Sequence, residues 1–277
     1  MVGSLPFLLQ LYAMISYIVD TFTNKPFKGN PTGVCCLTAP TSDAALLSIA
    51  NELNFPVTAF IAETTGNGYT IRYFTPVTEI PACWHATLAS ARVALLEDGI
   101  ANATFHTTNG IALTTTTDGD LTMMTYPKYN MQPFDISRDL LDGLGLTGYR
   151  TAGYCSELEA LFLETDAGTL RTLRPDYPRL VQSNDIIKEV VVTSLADSDE
   201  HDYLLRSFCP WIGIDEDPVT GSVHTVLAGF WQQRLNKNSL KAYQASQRGG
   251  ELVVKAFNDK TEIGGKSVVI MKGKIEL

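Results

Sequence analysis

The stretch Asp215-Glu216-Asp217-Pro218-Val219-Thr220-Gly221-Ser222-Val223-His224 gathers carboxylates, hydroxyls and an imidazole around two residues, Pro218 and Gly221, that set the backbone. Thr220 and Ser222 are helix-capping types. The unpaired N–H groups of a helix beginning there would suit a carboxylate ligand. Asp217 near that positive end could be held ionised or, stripped of water, act as a proton acceptor. A second stretch, Pro81-Ala82-Cys83-Trp84-His85-Ala86-Thr87, sets a Cys-x-His pair at another helix start. The dipole and a charged imidazole would both favour a thiolate at Cys83, and His85 could serve as acid or base near neutral pH. Taken one at a time, each stretch also fits a bland reading, a capped loop in the first case and a buried Cys with a satisfied His in the second. The sequence holds no P-loop, dinucleotide fingerprint, zinc-ligand spacing or Gly-x-Ser-x-Gly elbow.

The surrounding pattern predicts the elements that must position these residues. Strands are expected at Ile15–Val19, Gly33–Leu37, Thr58–Ala62 and Tyr69–Phe74, with a Pro/Gly/Asn-rich loop from Asn24 to Pro31. Thr41 or Ser42 caps a helix from Asp43 to about Asn54. His85 to Asp98 is predicted as an apolar helix stopping at Gly99, with Ala86, Ala89, Val93 and Leu96 on one face. Thr104–Tyr126 is β again, turning at Asp118-Gly119. A comparable order follows from Met131: a capped helix near Ser137–Leu144, strands near Ala160–Leu163 and Ile186–Thr193, the Ile214–Gly221 loop, and a helix from about Ser222 to Leu235. Strands at Lys241–Ser246, Glu251–Ala256 and Ser267–Met271 close the chain. His85-Ala-Thr-Leu-Ala-Ser and His224-Thr-Val-Leu-Ala-Gly echo one another half a chain apart. The expectation is two similar α+β halves, each a sheet wrapped round a central helix, with both helix starts at one cleft. The boundary falls near residues 128–129, giving 14–128 and 129–277.

Composition bounds the rest. At 277 residues and 45% hydrophobic, the chain has ample material for a core. Lys plus Arg is 21 against 30 Asp plus Glu, a net charge of −9. Without a basic cluster, this excludes nucleic acid and anionic membrane as expected partners. Five cysteines, at 35, 36, 83, 155 and 209, show no CxxC pair and suit free thiols in a reducing cytosol. Residues 1–13 are apolar with no basic residue ahead, and too short to span a bilayer. They are expected to be an extension packed on the surface, or to precede a true start at Met14.

Six fragments in register resemble the PhzF (phenazine-biosynthesis-like) family, related in fold to diaminopimelate epimerase. They are Val19-Asp20-Thr21-Phe22-Thr23, Phe27-Lys28-Gly29-Asn30-Pro31, Arg72-Tyr73-Phe74-Thr75-Pro76, Cys83-x-His85-Ala86-Thr87-Leu88-Ala89, Glu216-Asp217-Pro218-Val219-Thr220-Gly221-Ser222 and Gln244-x-Ser246-x-Arg248-Gly249-Gly250. The resemblance runs from about Ile15 to the C-terminus. It implies an α+β fold of two pseudo-symmetric halves, each a curved, barrel-like sheet around a central helix, with the active site between them. It also implies a cofactor-independent isomerase or epimerase that moves a proton on a small carboxylate or amino-acid-like metabolite, with no metal, in a cytoplasmic homodimer. Catalytic roles are implied for His85, Asp217 and Ser222, with Cys83 as an acid/base by analogy to the thiols of the related epimerase. Asn30, Thr220 and Gly221 would line the cleft.

The sequence departs from that pattern twice. The family's proton-shuttling glutamate sits in a segment resembling Asn-Leu-Ser-Glu-Thr-x-Phe; here Asn54-Phe55-Pro56-Val57-Thr58-Ala59-Phe60 puts Val57 in its place. Losing a positioned acid/base typically costs about 10²–10⁴ in rate. Trp84 replaces the usual glycine between Cys83 and His85 and offers a blocking or stacking wall. Three readings follow: a divergent isomerase with a rewired base, a cyclase or rearrangement enzyme in the same cleft, and a non-catalytic small-molecule binder.

Overall fold

The computed structural model describes residues 13–64 and 68–276. Residues 1–12, which hold nearly all of the expected N-terminal extension, lie outside the described residues. The first part of the chain runs β1 (Ala13–Thr21), β2 (Asn30–Cys36), α1 (Asp43–Leu53), β3 (Val57–Glu63), β4 (Gly68–Phe74), β5 (Glu79–Ile80), α2 (Trp84–Asp98), β6 (Asn102–Thr107), β7 (Ala112–Asp118) and β8 (Leu121–Pro127). The second runs α3 (Arg138–Leu144), β9 (Thr151–Cys155), β10 (Ala160–Glu164), α4 (Ala167–Thr172), α5 (Tyr177–Ser183), β11 (Glu189–Leu195), β12 (Tyr203–Phe208), α6 (His224–Leu235), β13 (Ser239–Gln244), β14 (Gly250–Ala256) and β15 (Lys260–Glu276).

The pairing pattern shows the internal repeat. From β1 through β2, β3, β4, β6 and β7 to β8, successive neighbours are antiparallel, parallel, antiparallel, parallel, antiparallel and antiparallel. From β9 through β10, β11, β12, β13 and β14 to β15 the same sequence recurs. A parallel neighbour needs a crossover. α1 supplies the first and α2 the second in one half; α4 with α5, then α6, supply them in the other. The long β15 belongs to both halves. It pairs with β14 and β8 near its start and with β1 along the rest, closing an eight-stranded barrel round α2.

Two helix starts follow their sequence signals: Ser42 caps α1 by accepting from the Ala45 N–H, and Ser137 caps α3 by accepting from Leu140. α2 stops at Gly99 in the left-handed conformation, as its sequence indicates. The one-faced pattern expected for α2 is corrected. Ala86 through Ala91, with Val93 and Ala94, are all buried, whereas Leu96 is 48% exposed. A helix threaded through a barrel meets strands on every side, and its Ala and Ser residues let them approach. The hydroxyls of Thr87 and Ser90 bond back to the Cys83 and Ala86 carbonyls, so no polar group is left bare there. α6 is likewise buried from His224 to Gly229.

Cys35 is buried within β2 and all five cysteines are free thiols. Among the described residues no helix is long and apolar enough to cross a membrane.

Candidate active site

The two central helices bring their starts together. A Cβ placed on Gly221, just ahead of α6, would stand 3.8 Å from the Cβ of Trp84, the first residue of α2. At this meeting point Asp217 is suspended between the halves. Its Oδ1 accepts from the Asn30 amide at 3.0 Å, and its Oδ2 accepts from the Thr220 hydroxyl at 2.5 Å. Asn30 also donates to the Val219 carbonyl at 2.9 Å, while its own buried Oδ1 has no partner. Gln244 binds the loop from below, accepting from the Thr220 N–H and donating to the Asp217 carbonyl, each at 2.8 Å.

Ser246 and Arg248 of one further motif, with Asp20 and Gly29 of two others, tie this loop to the first half. Ser246 donates to the Pro218 carbonyl at 2.6 Å. Arg248 reaches into the first half, donating to the Gly29 carbonyl at 2.7 Å and to Asp20 at 2.8 Å, and Asp20 in turn accepts from the Phe27 N–H. This seam demands glycine at 250, where a Cβ would lie 2.4 Å from Val219 Cγ2 and 3.1 Å from the Phe22 carbonyl oxygen. Fragments far apart in sequence therefore form one clamp that fixes Asn30 and Asp217 face to face.

The hydroxyls do not cap α6. The helix begins at His224, its N-cap is Val223 without a side-chain bond, and the Thr220 hydroxyl is committed to Asp217. Gly221, Ser222 and Val223 form a tight turn before the helix, with the His224 and Thr225 N–H groups bonding back to the Gly221 and Ser222 carbonyls. Among the described residues, the N–H groups of Gly221, Ser222 and Val223 find no protein acceptor and the Ser222 hydroxyl no partner. They follow directly on Thr220, whose hydroxyl holds Asp217, and unpaired N–H groups ahead of a helix suit a carboxylate ligand.

Across the gap, Cys83 is the N-cap of α2, with its sulfur 3.4 Å from His85 Nδ1. The expected thiolate is corrected. Burial pushes the Cys83 thiol up to about 12, and the helix-start N–H groups of Ala86 and His85 only partly offset this while the Asp217 charge adds to it. Burial also lowers His85 to about 4, so its imidazole is neutral at pH 7. Burial raises Asp217 from its ordinary value, opposed by its bonds from Thr220 and Asn30. Trp84 turns edge-on to Tyr126, ring centroids 4.5 Å apart, so part of the indole is taken up by the barrel core. Val57 lies at the first position of β3, paired with Thr32 and buried in the same core.

One ionisable group of this site has no counterpart in the sequence reading. Glu189, first residue of β11, accepts a hydrogen bond from Ser207 of β12, whose carbonyl takes the Asp217 N–H at 3.1 Å. Burial raises its carboxyl to about 7, the Ser207 bond opposes this, and the Asp217 charge adds to it. The signal that could have found it is the repeat: Arg206-Ser207-Phe208-Cys209-Pro210 echoes Arg72-Tyr73-Phe74-Thr75-Pro76 and aligns β11 with β3. No group of three His, Cys, Asp or Glu side chains among the described residues is placed to hold a metal. The site is narrow. The two large surface hollows, of about 820 and 500 Å³, lie away from it along Tyr17 and Cys36 and along Lys25 and His201.

Comparison with known proteins identifies the fold and the family. The family model described as phenazine biosynthesis-like protein matches residues 19–273. An uncharacterized isomerase of Halalkalibacterium halodurans is 37% identical over 269 residues, covering 94% of this chain and 98% of its own. The phenazine biosynthesis-like domain-containing protein 1 of Mus musculus is 33% identical, with 94% and 98% covered. The crystal structure of a PhzF-family protein from Enterococcus faecalis superposes with a TM-score of 0.89 at 33% identity, over 96% of this chain and all of that one. A probable proline racemase from Agrobacterium radiobacter, 12% identical with a TM-score of 0.62, shares the fold alone. With the duplicated fold, the inter-half clamp and a family match along almost its whole length, this chain belongs to the phenazine biosynthesis-like (PhzC-PhzF) family.

Proposed function

We propose that this protein is a cofactor-independent isomerase that transfers a proton on a small carboxylate or amino-acid-like metabolite. The observation that carries the reading is the Asp217 carboxyl, gripped by Asn30 and Thr220 from opposite halves, with three undonated N–H groups following directly on Thr220. Those N–H groups and the Ser222 hydroxyl would hold the substrate carboxylate. The unpartnered Asn30 Oδ1 would accept from a polar substrate group. With the substrate's own charge so neutralised, Asp217 acts as base toward the adjacent C–H, and the electron pair left on carbon is stabilised by the bound carboxylate. His85, neutral at working pH, donates a hydrogen bond rather than a full charge. Cys83, a protonated thiol, is a weaker candidate for the proton shuttle than the sequence suggested. The isomerase name of the bacterial relative supports the reaction class.

The test is solvent exchange. Incubated in D₂O with a panel of L- and D-amino acids and cyclic carboxylates, the protein should place deuterium in a recovered substrate. Asp217→Asn should lower that rate by about 10²–10⁴, the usual contribution of a positioned acid/base. Turnover without solvent deuterium would favour a cyclase or rearrangement instead. Binding seen by tryptophan fluorescence with neither exchange nor turnover would make the protein a binder.

A further inference from the structure

Val57 and Glu189 are the same position of the repeat. Each is the first residue of the strand that lies parallel to one neighbour and antiparallel to the next: Val57 pairs with Thr32 of β2, and Glu189 pairs with Ala160 of β10. One step on, Thr58 faces Phe74 and Val190 faces Phe208, in the two echoing Arg-x-Phe-x-Pro segments. Both side chains turn inward, toward the central helix of their own half. We infer that Glu189 is the second proton-transfer group of the cleft, standing in the second half where the first half has valine.

The surroundings divide the labour between the two carboxyls. Asp217 accepts from an amide and a hydroxyl, one on each oxygen, bonds that favour its ionised form. Glu189 accepts from Ser207 alone. Around it stand the Cys209 thiol just after β12 and the negative Asp217, and Cys155, reached across β10, directs its thiol to Glu157 instead. No cation is among the groups acting on its charge. Two carboxyls whose environments differ in this way take opposite roles. Asp217 is the base and Glu189, which keeps its proton up to about pH 7, the acid.

The step balances without a co-reactant. Asp217 takes the proton, the C–H pair stays in the substrate skeleton, and Glu189 returns a proton to carbon. The pair is reset by exchange of one proton with water. This deepens the proposed function and rests on it.

The experiment is the D₂O exchange assay on the same amino-acid and cyclic-carboxylate panel, with wild type, Asp217→Asn, Glu189→Gln and Glu189→Asp. Glu189→Gln keeps the volume and the Ser207 contact. It should lower kcat at least 100-fold with KM within threefold. Wild-type kcat/KM should fall above about pH 7 as Glu189 loses its proton, and this limb should be absent from the residual activity of Glu189→Gln. Glu189→Asp, the variant to use where Gln impairs folding, should retain the limb at reduced rate. Silence of wild type on the panel overturns the proposed function and this inference together. An active wild type, a dead Asp217→Asn and a Glu189→Gln within threefold of normal with its limb intact overturn this inference alone.

Discussion

A histidine stands in the first turn of each central helix, and the two have different fates. His85 lies at the seam beside Cys83 and is part-exposed. His224 is fully buried, its Nδ1 2.6 Å from the Tyr203 hydroxyl and its Nε2 without a partner. The arginines of the repeat diverge the other way. Arg72 holds Glu79 and the 82%-exposed Asp43 near the surface. Arg206 is 8% exposed, grips both Glu216 oxygens and also donates to the Leu170 and Leu173 carbonyls. Since Glu216 precedes Asp217, the second half has turned its copy of the pair into an anchor for the Asp217 loop. Duplication supplied one frame twice. The first half presents an imidazole to the seam, the second its carboxyls.

The largest expected effect tests that contrast. Arg206→Ala leaves half-buried Glu216 without its partner and strips two buried carbonyl contacts, a loss of about 3 kcal/mol on urea unfolding. Arg72→Ala, whose partners reach water, should cost only about 1 kcal/mol. Equal losses would mean that the two pairs, despite their burial, do the same work.

A smaller effect separates Glu189 from Val57 by stability alone. Its carboxyl is raised from an ordinary 4.5 to about 7, so folding favours the protonated form. That stability is fully present below about pH 4.5 and is lost as pH rises through 7. Glu189→Gln, which never ionises, should therefore gain up to about 3 kcal/mol on wild type between pH 5 and pH 8. Melting curves at the two pH values measure it. A gain independent of pH would remove the burial argument for this group.

Much of this frame was legible in the sequence, for a physical reason. Ser42, Ser137 and Gly99 act through local backbone bonds, and local chemistry is what a sequence shows. The echo at His85 and His224 marked the two helix starts correctly. Other features needed the assembled sheet. β12, Tyr203–Phe208, is buried at every residue and has no alternation to betray it. α4 and α5 are six and seven residues long, too short for a periodic stripe. Asp217, Asn30 and Ser222 could be named from the family resemblance, but not that Thr220 turns to Asp217 instead of capping α6. Glu189 stands beside Lys188 within the strand expected at Ile186–Thr193, where nothing local singles it out. Only the pairing of β11 with β12 shows it turned inward onto Ser207.

The smallest effect concerns the line where the halves touch. A Cβ on Gly221 would meet Phe22 Cζ at 3.5 Å and Trp84 Cβ at 3.8 Å, both ordinary contacts, and the backbone there does not require glycine. Gly221→Ala should therefore be neutral or stabilising by less than about 1 kcal/mol, because alanine restricts the unfolded chain more than glycine does. The added methyl nonetheless packs the two helix starts against each other at the mouth of a narrow site. If substrate enters by parting them, kcat/KM for exchange should fall several-fold while the melting temperature holds or rises. An unchanged kcat/KM would mean that substrate reaches Asp217 by a route that leaves Gly221 and Trp84 in contact.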